Sequence, residues 1–365
     1  MRVATVPNPN RRPVFIAVAV VAVAAAAGIW WLSRPDGPSS AAAGPSIAAS
    51  VQVPTTTSTV KPVRTGRVTT WQIPEALVGL RGVAVAHDGT VWVTEQNRGG
   101  VDALQGNQLT RYDVEKTFSG AGAFSFGWGP GDALWFTGYP GGTLGRVMPD
   151  RTINLFQPRG DGATTLGIAQ GPDGTMWSTD PNLGAVVKIG TNGSLTPILV
   201  SHDGGQTQRP GFIVNGGDGN MWFTIPDTNQ VASLPATGDT TVTRYRVPGN
   251  VTPRNIVNAG DGTLWVSLED RAALAHVDES TGRVTIVALH GAVVPTSGLN
   301  DLALAPDGTL WITTPSATVL HVDTSGRILD EVKIPGALYA DGITVAPDGS
   351  VWVAARNDLI ARIAP

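Results

Sequence analysis

Seven tryptophans at a nearly constant interval constrain this chain more than any other feature. They are Trp92, Trp135, Trp177, Trp222, Trp265, Trp311 and Trp352, separated by 43, 42, 45, 43, 46 and 41 residues. An apolar stretch such as GIAQG or GITVA precedes each one. A turn of the Pro-Asp-Gly type follows, then a second apolar stretch centred on the Trp, as in PDGTMWST, GDGTLWVS, PDGTLWIT and PDGSVWVA. Asp-Gly between two apolar runs is the strongest short-range signal for a β-hairpin. A third stretch (LGRVM, AVVKI, VLHVD, LIARI) and a fourth (INLFQP, VTRYRVP, ILDEVKIP) complete a four-strand unit. Four strands at this period are the signature of propeller blades. The chain is therefore expected to be all-β, with a seven-bladed β-propeller at 67–365.

The second strands are apolar at adjacent positions instead of alternating, as expected when neighbouring blades cover both faces of a sheet. Each Trp then reads as a packing anchor between blades. The content of 45 Gly and 27 Pro without a collagen period suits many short strands joined by tight turns. The seventh copy stops after its third strand, two residues from the end, whereas 67–74 (RVTTWQIP) matches the fourth-strand pattern ahead of the first copy. This amino-terminal strand is expected to complete the last blade and leave no free blade edge.

Residues 14–32 (VFIAVAVVAVAAAAGIWWL) carry no charge. As a helix they would span about 28 Å, close to the hydrocarbon thickness of a bilayer. Arg2, Arg11 and Arg12 precede this run, so the positive-inside rule predicts a signal anchor with residues 1–13 in the cytoplasm and the rest of the chain outside. Small residues at 24–28 and 41–43 also allow a cleaved signal peptide and a secreted protein. Residues 33–66, rich in Ser, Thr, Pro and Ala and lacking any apolar period, are expected to be a disordered, semi-extended linker. After residue 35 the chain carries 21 basic and 29 acidic residues, a poor match to nucleic acid, which needs a basic footprint. With no cysteine, disulfides, thiolate metal sites, cysteine nucleophiles and a lipoprotein anchor are excluded. The partners expected are the membrane, through the amino-terminal helix, and a small ligand, envelope component or protein at the propeller mouth; the propeller itself is expected to be a monomer.

The unit GIAxGPDGxxWxT, with its xGRI-like strand and an outer strand ending in proline, resembles the streptogramin lyase (virginiamycin B lyase) family and, more distantly, NHL-type propellers. The resemblance covers 67–365. It implies a propeller whose relatives open antibiotic lactone rings by elimination, using a magnesium ion and histidines at the central mouth. Those histidines belong two residues before the aliphatic residue of the innermost strand, in the last two blades. Eleven residues before each Trp, the corresponding ring positions here are Arg81, Phe124, Leu166, Gly211, Arg254, Asn300 and Asp341. Asn300 and Asp341 fall on the two histidine places. Tyr339 falls on one of the places that the resemblance assigns to metal-ligand carboxylates, and the other falls near Arg356. Asp341 is thus the weak catalytic candidate. No cofactor is expected, and magnesium enters only if lyase chemistry holds.

The five histidines read as surface or inter-blade side chains, with His276 and His321 at a third-strand position that holds Arg146, Lys188 and Arg362 in other copies. The aspartates preceding glycine read as hairpin residues, since one carboxylate per turn does not supply the six to eight oxygens calcium needs. The mouth of the ring is the candidate ligand-binding funnel. It gathers Arg81, Arg254, Asn255, Asn300, Asp301 and Asp341 at the starts of the inner strands, Glu95, Asp180 and Glu269 beyond the second strands, and Arg356 in the last blade. A non-catalytic, membrane-tethered extracytoplasmic binding module is the leading expectation. The alternatives are an enzyme of altered chemistry on a lactone or ester and a structural part of an envelope complex. Deleting 67–74 is expected to unfold the whole domain or greatly lower its melting temperature; a truncated protein that melts like the full one would contradict the closure.

Overall fold

The computed structural model describes residues 48–365, apart from 52, 77, 118–121, 157–162, 192, 201–206 and 292–293. The apolar segment 14–32 and the first part of the 33–66 segment lie outside the described residues, as does His202. The described residues form seven antiparallel sheets. Their innermost strands are Leu80–Val85, Ala123–Gly129, Ile168–Gln170, Ile213–Asn215, Pro253–Asn258, Leu302–Leu304 and Ala340–Val345. The repeat therefore folds as the seven-bladed propeller that it predicts.

Four strands precede the first inner strand: β1 (Ala48–Val51), β2 (Thr55–Thr59), β3 (Pro62–Thr65) and β4 (Val68–Gln72). β4 pairs with the last strand, Leu359–Ile363, in a register running from Val68 opposite Ile363 to Gln72 opposite Leu359. The ring closes as expected. The expected disordered linker, 33–66, is corrected from Ala48 onward. β1 adds to the outer strand of blade two, β2 to that of blade one, and β3 forms a hairpin with β4 on blade seven. The hairpin turns at Gly66, whose φ of +60° places it in the left-handed region. This belt crosses three consecutive blade edges. It leaves no apolar period because an edge strand is held by backbone hydrogen bonds: β2 is threonine- and serine-rich, and four of its five side chains are exposed.

Apolar clusters fill the junctions between blades. Trp92 of blade one packs with Leu134, Phe136 and Leu155 of blade two, and Trp222 of blade four with Ile256, Leu264 and Val266 of blade five. Six of the seven indoles are buried, and Trp352 is half-buried. Removing such a side chain from a core typically costs about 3–5 kcal/mol, so the tryptophans are anchors of blade packing. The residue opposite each Trp on the third strand explains the scattered basic positions. Arg146, Lys188 and Arg362 place their cations over Trp135, Trp177 and Trp352, at 5.3, 5.0 and 5.8 Å from the ring centres. His321 stacks on Trp311, and His276 packs against Trp265 at a tilt of 44°. Where the opposite residue is small, Ala103 or Ser233, a tyrosine of the fourth strand covers the indole instead, Tyr112 on Trp92 and Tyr245 on Trp222. The aspartates Asp88, Asp173, Asp218, Asp261, Asp307 and Asp348 each accept a hydrogen bond from the N–H two residues on, which fixes the hairpin turn.

A second ring lies inside the apolar one. Two residues after its Trp, each of the first six blades carries a hydroxyl: Thr94, Thr137, Thr179, Thr224, Ser267 and Thr313. Each accepts an N–H of its own blade, in or just before the inner strand, at 2.7–3.1 Å. Each donates at 2.6–2.9 Å to a carbonyl of the next blade, namely that of Phe124, Leu166, Gly211, Arg254, Asn300 or Asp341. The seventh blade has Ala354 at this place, and its junction with blade one is bridged by an ion pair between Arg81 and Asp341. Thr179 is fully buried, and replacing it by valine would strand both an N–H and a carbonyl. Thr179→Val is therefore expected to cost about 1–3 kcal/mol, measured by denaturant unfolding. A stability unchanged within error would show that the hydroxyl ring does not hold the blades.

Candidate functional site

The hydroxyl ring clamps the backbone of Arg254, Asn300 and Asp341. Their positions at the starts of inner strands are thus set before any side-chain contact. The central tunnel encloses about 240 Å³. One part of its wall is ionic or polar, formed by Arg81, Arg254, Asn255, Asp301 and Asp341. Another part is aromatic, formed by Phe124, Phe126 and Phe212.

Asp341 is the hub of the ionic part. It accepts hydrogen bonds from Arg81, from Arg356 Nε at 2.7 Å and from Arg254 Nη2 at 3.4 Å. Burial pushes its carboxyl up, but the three guanidinium charges overcome that effect and hold it at about 2. Arg254 also reaches Glu269 at 3.1 Å. Burial disfavours the Arg254 cation, yet Glu269 and Asp341 outweigh this and raise its pKa. Arg81 is lowered, first by burial and then by repulsion from Arg356 and Arg254, against the pull of Asp341. Asp301 behaves in the opposite way to Asp341. Burial is the main cause, and the charge of Asp341 adds to it; hydrogen bonds from the Leu302 and Ile343 N–H groups and the charge of Arg254 offset this only partly. Its carboxyl is raised to about 7. Asn255 donates its amide to the same carboxylate.

Asn300 is fully buried beneath this surface. Its Nδ2 donates to the Ala340 carbonyl at 2.6 Å, and its Oδ1 accepts from the Tyr339 hydroxyl at 2.9 Å. The Arg356 guanidinium lies 3.9 Å over the Tyr339 ring. Tyr339 and Arg356, the residues at the places that the resemblance assigns to metal-ligand carboxylates, are therefore joined to Asn300 and Asp341 in one bonded cluster. Two anticipated funnel residues do not join it. Glu95 is buried within blade one, where its carboxylate accepts from Arg111 Nε at 2.7 Å beside the buried Asp102, and burial raises both acids. Asp180 is buried in blade three, accepting from Thr164 Oγ1 at 3.1 Å and Leu183 N at 2.9 Å. Both end a second strand, whereas Glu269 lies just past the end of its own, and local N–H groups or a blade-internal arginine capture them first. Phe124, Phe126, Phe212 and Gln96, which accepts from Arg81 Nε at 2.5 Å, join the site without a signal of their own. Only the ring position of Phe124 could have marked it.

A family model described as the virginiamycin B lyase family matches residues 66–363. A virginiamycin B lyase from Nocardia farcinica (strain IFM 10152) is 29% identical over 118 residues, which are 32% of this chain and 40% of that protein. The matched stretch thus spans less than half of that relative. Among solved structures, a streptogramin B lyase superposes with a TM-score of 0.73 at 20% identity, covering 81% of this chain and 96% of that one. A catalytically inactive virginiamycin B lyase variant from Staphylococcus aureus with quinupristin gives a TM-score of 0.72 at 20% identity, covering 82% and 99%. At such identity the structural likeness carries the fold.

The raised carboxyl of Asp301 makes stability depend on pH. In the unfolded chain an aspartate loses its proton near pH 4, whereas in the folded protein Asp301 keeps it to about 7. Between these values the folded state binds more protons, so stability is expected to fall as pH rises from 4 towards 7 and to level off above it. The slope from this one group is at most about 1.4 kcal/mol per pH unit. Asp301→Asn should remove that part of the slope, read as melting temperature against pH. An identical pH profile in the variant would remove Asp301 as its source.

Proposed function

The chain belongs to the virginiamycin B lyase family, and we propose that it is a ligand-binding member without the family's elimination chemistry, held outside the cell membrane by its 14–32 segment. The observation that carries this reading is the state of Asp341. Its carboxylate is neutralised by three arginines and titrates at about 2, far below the range in which a general base is effective at neutral pH. The other histidine place holds Asn300, a carboxamide whose two ends are both hydrogen-bonded. Magnesium does not fit the residues present: a divalent ion needs oxygen ligands, and the guanidinium of Arg356 would repel it. A mouth of fixed, paired charges around an open tunnel suits recognition of a polar ligand.

One observation favours a second reading. Asp301 lines the tunnel and titrates near 7, where a carboxyl can both take and give a proton. An enzyme of altered chemistry on a lactone or ester would use Asp301 and not Asp341.

Two measurements separate these readings. In a ligand screen followed by thermal stability, a ligand of the mouth is expected to stabilise the wild type and to lose most of that effect in Arg81→Ala and Arg254→Ala. Equal stabilisation of all three proteins would place binding elsewhere. Incubation with quinupristin and magnesium is expected to leave its ring intact. Ring opening that disappears in Asp341→Ala would overturn the binding reading in favour of the family's chemistry, and ring opening that disappears only in Asp301→Asn would establish the second one.

A further inference from the structure

The two kinds of tunnel wall are contiguous. The Arg81 guanidinium lies 5.3 Å from the centre of the Phe124 ring, and Phe124 lies 6.4 Å from Phe212. We infer that the occupant of the tunnel is a small amphipathic carboxylate, its anionic head against Arg81 and Arg254 and its aromatic or alkyl body against Phe124, Phe126 and Phe212. This rests on the reading that the mouth binds a ligand and names the class of that ligand.

Three observations set the sign of the head. Arg81 donates through Nε to Gln96 and through Nη1 to Asp341, and its Nη2 meets no protein acceptor among the described residues; Arg254 Nε is likewise without one. The carboxylates are taken: Asp341 by three arginines, and Asp301 by Asn255 and two backbone N–H groups. A cationic head would find both carboxylates of the tunnel wall engaged, whereas an anionic head meets spare donors. The charges agree, since the three guanidinium groups of Arg81, Arg254 and Arg356 converge on the single carboxylate of Asp341. The tunnel's 240 Å³ is below the usual range of drug-sized pockets, about 300–1,000 Å³. It suits a single ring or a short chain.

The test is calorimetric titration of the full chain with 4-phenylbutanoate, with 4-phenylbutylamine, which shares the phenylbutyl skeleton, and with inorganic phosphate. The carboxylate is expected to bind with a Kd on the order of 1 mM and the other two at least about tenfold more weakly. Arg254→Gln and Phe212→Leu should each weaken the carboxylate by about tenfold, with melting temperatures showing that both variants fold. The affinity should also fall as pH rises through 7, because Asp301, flanked by Arg254 and Asp341, then adds a negative charge beside the head. Asp301→Asn should abolish that fall. Amine binding as tight as the carboxylate's would overturn the assigned charge, and equal phosphate binding would overturn the apolar half, while either would leave a binding mouth. No heat from any probe at about 10 mM would overturn the inference. The mouth-binding reading would then stand or fall separately on whether any other ligand stabilises wild type but not Arg81→Ala.

Discussion

The hydroxyl two residues after the tryptophan, present in six of the seven blades, is the contact on which the rest of this propeller depends. Apolar packing brings neighbouring blades together but is nearly indifferent to small sliding movements, because it is non-directional. A hydroxyl that accepts an N–H in one blade and donates to a carbonyl in the next removes that freedom. Its acceptors are the residues eleven before the following tryptophan, the same ring that supplies the mouth. Blade packing and site geometry are thus set by one repeated bond. The indole, the hydroxyl and the ring residue form a line from the blade junction to the tunnel.

Where the hydroxyl is missing, at Ala354, the last blade meets the first. Here the chain's ends are joined in two other ways. β4 completes the outer part of blade seven, and the Arg81–Asp341 pair crosses the inner part. A buried ion pair alone contributes little net stability, since desolvation offsets attraction. Its effect is instead to engage the carboxylate at one of the places where the resemblance puts a catalytic histidine. With Arg254 and Arg356 on the same group, charge neutralisation there and the raised carboxyl of Asp301 nearby are two results of one arrangement. Three guanidinium groups and two carboxyls around a narrow axis cannot all keep ordinary titration behaviour.

Much of this was legible in the residues. The Trp period required seven blades, the truncated last copy required closure by 67–74, and the ring positions could be read by counting back from each Trp. The W-x-Thr/Ser pattern was also visible, but a threonine in a strand gives no sign of bonding across two blades. The belt at 48–65 was hidden because edge strands that face solvent need no apolar period. Glu95 and Asp180 share with Glu269 a place at or just beyond the end of a second strand, which says nothing of what captures their carboxylates. Their local partners, Arg111 and the N–H of Leu183, belong to loops and strands whose course the repeat does not specify.

The sequence by itself determined the architecture: blade count, closure and the identity of the ring residues follow from a local pattern repeated along the chain, and local patterns act between near neighbours. Only the tertiary structure decided the chemistry of the mouth. Arg81 and Asp341 stand 260 residues apart and meet because a ring of seven blades returns its end to its beginning. Whether a carboxylate titrates at about 2 or about 7 depends on how many guanidinium groups that closure brings within reach. No spacing along the chain carries that information.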